Sequence, residues 1–246
     1  MSESSQPVCL VIGAGDDTGG AIARAFAKEG YQACLVRRPR HSDALEKLAD
    51  SIRADGGTAH ALPTDARDED AMVALVEQIE SEIGPIEVAV FNIGANVNFP
   101  ITETTGRVYR KVWEMAAFSG FLMGREAAKF MIERGKGTIL FTGATASMRG
   151  GPGYSAFAGA KFALRALAQA MARELGAKNI HVAHIVIDGA IDSNFIRQND
   201  PNVDARREED AILSPDAIAQ NYVMLHRQTR SAWTHELDLR PWKESW

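Results

Sequence analysis

"VIGAGDDTGGAIA", residues 11–23, runs an apolar segment into a cluster of glycines and then into a helical pattern. Its apolar lead, "VCLVI" (8–12), lacks the polar alternation of a half-exposed strand and reads as a strand buried on both faces. "GGAIARAFAKEG" (19–30) then shows helical spacing and stops at Gly30. Glycines between a strand and a helix make an anion site, because the first amides of the helix are unpaired and glycine lets a phosphate approach the backbone. A tight turn with no ligand has the same glycines; the strand and helix on either side favour the nucleotide reading. Asp16 and Asp17 run against it, since a carboxylate can cap a helix start but repels a pyrophosphate.

The same alternation continues outward from this turn. Strand-like runs recur at "ACLV" (33–36), "TAHAL" (58–62), "EVAVFNI" (87–93), "TILFT" (138–142) and "HVAHIVI" (181–187), with "AWTHELDL" (232–239) as an edge candidate. "DEDAMVALVEQIESEIG" (68–84) repeats the helical pattern and closes at Gly84. Right-handed crossovers then predict an α/β protein: a single-domain Rossmann fold over residues 1–246, with a doubly wound parallel β-sheet and helices on both faces. Residues 1–6 are expected to be a disordered lead-in. Residues 192–214, which include the polar, proline-broken "RQNDPNVDARREED" (197–210), are expected to form a mobile substrate loop or short helices.

Composition narrows the function. A net charge of -5 argues against a nucleic-acid surface, and no apolar run is long enough to cross a bilayer. "MSESSQP" has no basic flank leading into an apolar stretch, so no secretory signal is read there. Cys9 and Cys34 both lie inside apolar runs and are expected to be reduced core residues of a cytoplasmic protein. No His, Cys and carboxylate cluster has metal-ligand spacing, so no metal site is expected. "RRPR" (37–40) is too short for a polyanion track and suits one phosphate. At the end of a second strand an acid would hold ribose hydroxyls, whereas arginine accommodates a 2′-phosphate. Arg37 and Arg38 therefore favour NADP(H) over NAD(H).

Five segments together resemble the short-chain dehydrogenase/reductase superfamily, over about residues 7 to 240. "IGAGDDTGGAIA" is similar to its TGxxxGxG turn, with Gly13 and Gly19 matching and Asp17 in place of the middle glycine. "TDA" (64–66), "FNIG" (91–94), "GYSAFAGAKFALRALAQAMARELGAKNIHV" (153–182) and "DGAIDS" (188–193) resemble its adenine-contacting aspartate, its NNAG segment, its active-site helix and its PGxxxT segment. The resemblance implies a cofactor site built from Gly13, Gly15, Asp17, Thr18 and Gly19 at the turn, with Asp65 and Ala66 at the adenine. Asn92 and Gly94 follow the fourth strand, Lys161 meets the nicotinamide ribose, and Gly189, Ile191 and Ser193 lie near the nicotinamide. It implies hydride transfer to or from a carbonyl or an activated double bond of a small organic substrate. It also implies a homodimer or homotetramer built on helices near 106–134 and 154–176, where Ala158, Ala168 and Ala172 would permit close packing.

The family's chemistry rests on an Asn, a Ser, a Tyr and a Lys, with the last two spaced YxxxK. Here Lys161 is kept, and the other three positions hold Ala116, Ala144 and Phe157, none of which has a side-chain hydrogen bond to offer. Two readings follow. Tyr154 lies seven residues before Lys161, within about 20° on a helical wheel and roughly 10 Å along the axis, a spacing that resembles the enoyl-thioester reductase branch. It would then act as proton donor or oxyanion partner. In the alternative, the chain is a catalytically silent NADP(H)-binding sensor or scaffold. Thr142, Thr145 and Ser147 are candidates to replace the lost serine. His184 is expected to be a core histidine with a satisfied partner, and Asp188 and Asp192 are expected to be caps.

Overall fold

The protein was analysed as a computed structural model, which describes residues 6–244. Apart from Gln6, the expected lead-in therefore lies outside the described residues. Strands β1 (Val8–Ile12), β2 (Gln32–Arg37), β3 (Thr58–Pro63), β4 (Ile86–Phe91), β5 (Gly137–Thr142), β6 (Ile180–Ile187) and β7 (Glu236–Leu239) form one sheet in the order β3-β2-β1-β4-β5-β6-β7. Every pairing is parallel. The chain winds outward from β1 to β3, then returns to place β4 on the other side of β1. That reversal opens a crevice beyond the carboxyl ends of β1 and β4, where ligands bind in sheets of this kind.

The unbroken apolar strands are explained by two cores. Cys9 and Val11 of β1 face one layer, with Phe26 from α1 (Thr18–Lys28), Leu48 from α2 (Ser42–Ala54) and, further along the chain, Tyr222. Val8, Leu10 and Ile12 face the other, with Met72 from α3 (Glu69–Gln78) and with Leu122 and Leu164. Both cysteines are buried and free. The helical stretch expected near 106–134 is α4 (Gly106–Trp113), a π turn over Glu114–Phe118 and α5 (Ser119–Arg134). α6 (Ser155–Leu175) is the second long helix. The segment expected as a loop carries two short helices, α7 (Asn194–Asn199) and α8 (Val203–Glu208), before α9 (Pro215–His226).

Two expectations about packing need correction. Ala168 is completely buried in the second core, and Ala158 is buried against Phe157, so these small residues seat α6 within its own subunit. Those two have almost no surface to offer a second copy, whereas Ala172 is only partly buried. His184 is indeed a core histidine, but only its Nδ1 is bonded, to Glu236 at 3.1 Å; its Nε2 is buried without a partner. Burial holds its imidazole neutral, with a pKa lowered to about 4.

Gly30 ends α1 as expected, at φ +88°, where a side chain would be strained. Gly19 is constrained by space instead: a Cβ there would lie 2.3 Å from the Gly13 carbonyl oxygen and 2.9 Å from the Ala14 Cα. Those neighbours are backbone and cannot rotate aside. Gly19→Ala is therefore expected to cost about 2–3 kcal/mol in urea unfolding. Gly106→Ala, which meets nothing within 4 Å, is the control and should be neutral or slightly stabilising.

Candidate active site

The turn after β1 is fastened to two strands. Gly13 (φ +91°) donates its N–H to the Val36 carbonyl at 2.9 Å, while Asn92 donates from Nδ2 to the Gly13 carbonyl at 3.3 Å and from its backbone to Ile12 at 2.8 Å. Gly13, Gly19 and Asn92 thus lock the end of β1 against the end of β4. Thr18 and Gly19 are buried within this lock.

Beside it lies a cleft of ≈ 260 Å³. Of the residues singled out in the sequence, it brings together Gly13, Gly15, Arg37, Arg38, Asp65, Ala66 and Gly94. It adds His41 and Arg67, which the motif reading passed over although each stands within three residues of a residue it did select. Arg67 matters to the expected role of Asp65. Its guanidinium donates to both carboxylate oxygens, at 2.9 and 2.5 Å, and its backbone N–H adds a third bond at 3.2 Å. These bonds hold the Asp65 carboxyl below its ordinary range and occupy both of its oxygens. Arg38 is pushed in the other direction: burial, then the guanidiniums of Arg40 and Arg67, lower its pKa. A cationic group crowded by cations is a good seat for a multiply charged anion.

Lys161 lies outside the lining of this cleft. Its Nζ is fully buried and donates to the carbonyls of Thr142 at 2.8 Å and Ile93 at 3.0 Å, just where β5 and β4 end. Desolvation lowers its pKa to about 7. The Phe157 ring centroid is 5.9 Å from Nζ, and Phe157 clusters with Ala146 and Ala158, with partly buried Ala144 and Tyr154 packed against them. Ala116 is fully buried in a neighbouring apolar cluster with Val112, Ala156 and Ala160. Around Lys161 the wall is therefore alkyl and aromatic. Tyr154 immediately precedes α6, is half-buried, and gives its carbonyl to the N–H of Ala158 at 2.8 Å.

The three hydroxyls considered as stand-ins have separate fates. Thr142 Oγ1 is within 2.6 Å of the buried Tyr222 hydroxyl, and Ser147 Oγ accepts the Ala144 N–H at 3.1 Å. Thr145 donates to Asp188 Oδ1 at 2.5 Å. Asp188 is therefore no cap; it also lies 3.4 Å from Arg240 and 3.9 Å from Arg149. Asp192 is no cap either. It accepts from Arg197 and Arg207, both through two nitrogens, and these bonds hold its carboxyl far below the usual range.

Gly189, Ile191 and Ser193 form a third group. Gly189 packs under Pro241, Ile191 bridges to Leu213, and Ser193 Oγ caps α7 by accepting the Ile196 N–H at 3.3 Å. Asp17 reaches this group rather than its own helix. It makes no side-chain cap on α1, contrary to the usual use of such a residue, and its Oδ1 accepts the N–H of Asn194 at 3.0 Å.

With this geometry in view, the comparisons with known proteins are specific. The family model for short chain dehydrogenases matches residues 7–203, and the chain belongs to that family of oxidoreductases. A crystal structure of a short-chain dehydrogenase from Rhodopseudomonas palustris is similar, with 47% identity, a TM-score of 0.82, and coverage of 96% of this chain and 99% of that one. Among curated proteins, fatty acyl-CoA reductase Rv0547c of Mycobacterium tuberculosis is 31% identical over 175 residues, which is 70% of this chain but 59% of that protein. Versicolorin reductase stcU of Emericella nidulans is 30% identical over 188 residues, 76% of this chain and 70% of its own. A metagenomic short-chain oxidoreductase in complex with NADP shares the fold, with a TM-score of 0.79 at 23% identity over 98% of this chain and 99% of that one. No helix among the described residues is long and apolar enough to cross a membrane, and no His, Cys, Asp and Glu group among them has a metal-holding arrangement.

The burial of Lys161 has a measurable sign. Its folded-state pKa of about 7 lies below the unfolded value, so between these two values the unfolded chain binds the extra proton and stability rises with pH. Relative to Lys161→Met, which cannot titrate, the wild type should gain about 2 kcal/mol of unfolding free energy between pH 7 and pH 9. Urea denaturation of both proteins at the two pH values measures this difference.

Proposed function

We propose that this chain is an NADP(H)-dependent cytoplasmic oxidoreductase that moves hydride to or from a carbonyl or activated double bond of a small organic substrate. The observation that carries the reading is the cationic rim of the cleft: Arg37 and Arg38 at the end of β2, beside the glycine turn. The residues present suit the adenosine end of such a cofactor. Gly15 and Gly94 border the cleft, and a Cβ on Gly94 would meet nothing within 4 Å, so the backbone is open to close approach there. When bound, the cofactor supplies or accepts the hydride at its nicotinamide ring.

The chain's own residues do the rest. Arg37 and Arg38 bind the 2′-phosphate, and Gly13, Gly15, Thr18 and Gly19 shape the turn under the pyrophosphate. Asp65 and Ala66 border the adenine, while Asn92 and Gly94 floor the crevice. Gly189, Ile191 and Ser193 border the nicotinamide. Lys161 places its ammonium at the ribose, and Tyr154 donates a proton to, or stabilises, the oxyanion that forms as hydride arrives. Phe157, Ala144 and Ala116 stand where the family's usual acid and hydrogen-bonding groups belong, so this member is atypical. The apolar cluster of Ala146, Phe157 and Ala158 favours one second reading, a catalytically silent NADP(H)-binding sensor or scaffold.

Steady-state assays with aldehydes, ketones and enoyl thioesters, each with NADPH and with NADH, separate these readings. Turnover that prefers NADPH, with kcat/KM falling at least about tenfold in Tyr154→Phe, is the expected result. Tight NADPH binding without turnover of any substrate would favour the silent reading. An unchanged Tyr154→Phe would remove that hydroxyl from the mechanism.

A homodimer or homotetramer is part of the same proposal. Its support is an exposed aromatic stripe: Tyr109 and Trp113 on α4, Phe121 on α5 and Phe162 on α6, with Trp113, Phe118 and Phe121 stacked in sequence. Light scattering should find a dimer or tetramer that Trp113→Glu with Phe162→Glu converts to monomer. A monomeric wild type would refute it.

A further inference from the structure

Asp17 stands where a carboxylate normally accepts an amide of its own helix, yet it makes no such bond. Its Oδ1 is spent on the Asn194 N–H, 3.0 Å away and 177 residues on in the chain. Asp16, next to it, lies 4.0 Å from NH1 of Arg37. The amino end of a long helix that follows the first strand is the place where a dinucleotide's pyrophosphate is held in folds of this architecture. Here that place already has carboxylates, and a pyrophosphate arriving beside them meets like charge. At the adenosine end of the cleft the sign is reversed at Arg37 and Arg38, while Arg67 in the same lining is paired with Asp65.

The segment that Asp17 reaches is organised around a charge cluster of its own. Asp192 gathers Arg197 and Arg207, and Asp200 pairs with Arg206, so α7 and α8 fold about internal ion pairs. The bond from Asp17 to Asn194 is a direct tie between this unit and the phosphate turn.

Resting on the cofactor reading above, we propose that Asp17 is a resident anion. Its charge stands beside the pyrophosphate station without bonding the helix amides there, it ties the turn to Asn194 at the start of α7, and it leaves the 2′-phosphoadenosine end to carry most of the dinucleotide's affinity. Asp17 is then a specificity-determining residue: the cleft selects a 2′-phosphorylated adenosine and gains little from what is attached at its 5′ side.

Calorimetric titration of the full chain with 2′-AMP, 5′-AMP, NADP+ and NADPH tests this, using wild type, Asp17→Asn and Asp17→Gly. Wild type should bind 2′-AMP and NADP+ with dissociation constants within about threefold of each other, and 5′-AMP at least about tenfold more weakly. Asp17→Asn removes the charge but keeps an oxygen for the Asn194 N–H; it should tighten NADP+ and NADPH at least about tenfold and change 2′-AMP less than about twofold. Asp17→Gly should tighten the dinucleotides similarly and also lose the tie, so that limited trypsin cleaves faster after Arg197, Arg206 and Arg207 than in wild type or Asp17→Asn.

Dinucleotide affinity unchanged in both variants, or an equal gain for 2′-AMP, would overturn the resident-anion role. Trypsin rates that do not differ between Asp17→Gly and wild type would overturn the tie. Failure of the cofactor reading looks different: none of the four ligands binds to any of the three proteins, which removes both proposals together.

Discussion

The carboxyl end of this sheet depends on how closely the turn after β1 lies against the end of β4. Two glycines make that approach possible, since a side-chain carbon on Gly13 would come within 2.7 Å of the Asn92 carbonyl oxygen and one on Gly19 within 2.3 Å of Gly13's own. Asn92 then ties the two backbones with its side chain and its N–H. Ile93, whose carbonyl holds Lys161 together with that of Thr142, and Gly94 follow directly after this lock. A few tenths of an ångström lost here would pass into every wall of the crevice, because close-packed backbone has no soft torsion with which to absorb it.

The parts of the molecule that were legible in the sequence are those set by local rules. Strands buried on both faces must be apolar throughout, helices must stop at residues such as Gly30, and a parallel sheet must alternate with helices; these three constraints placed β1 to β6 within about two residues of their observed bounds, while the edge strand β7 begins at Glu236, four residues after the expected start. The glycine turn and the arginines at the end of β2 were legible for the same reason, as each is a short run with one structural purpose. Side chains that choose between a near and a distant partner were not. Asp17, Asp188 and Asp192 all look like caps in one dimension, yet each is claimed from elsewhere: by Asn194, by Thr145 with two arginines, and by Arg197 with Arg207. The two-residue offset of Asp65 and Arg67 was the one such pairing with a local signal, since an arginine two places on can fork back onto a carboxylate at a turn.

The small residues of α6 teach a related lesson. Alanines at helical spacing permit close approach, but the sequence does not say to what. In this chain Ala168 is fully buried in the second core and Ala158 beside Ala146 and Phe157, whereas Trp113, Phe121 and Phe162 on α4, α5 and α6 are exposed. An aromatic face buries more area per residue and defines its geometry more sharply than an alanine seam does.

Lys161 links this architecture to proton balance. Its ammonium is held by two backbone carbonyls and faced by the Phe157 ring, and burial lowers its pKa to about 7, so its charged form is held less firmly than that of an exposed lysine. A ligand that offers it a further acceptor stabilises the charged form, and the complex must then draw a fraction of a proton from solvent. The heat of binding such a ligand near neutral pH would then depend on the ionisation enthalpy of the buffer that supplies the proton. A buried lysine thus makes the molecule a participant in the acid–base state of its surroundings before any substrate has reacted.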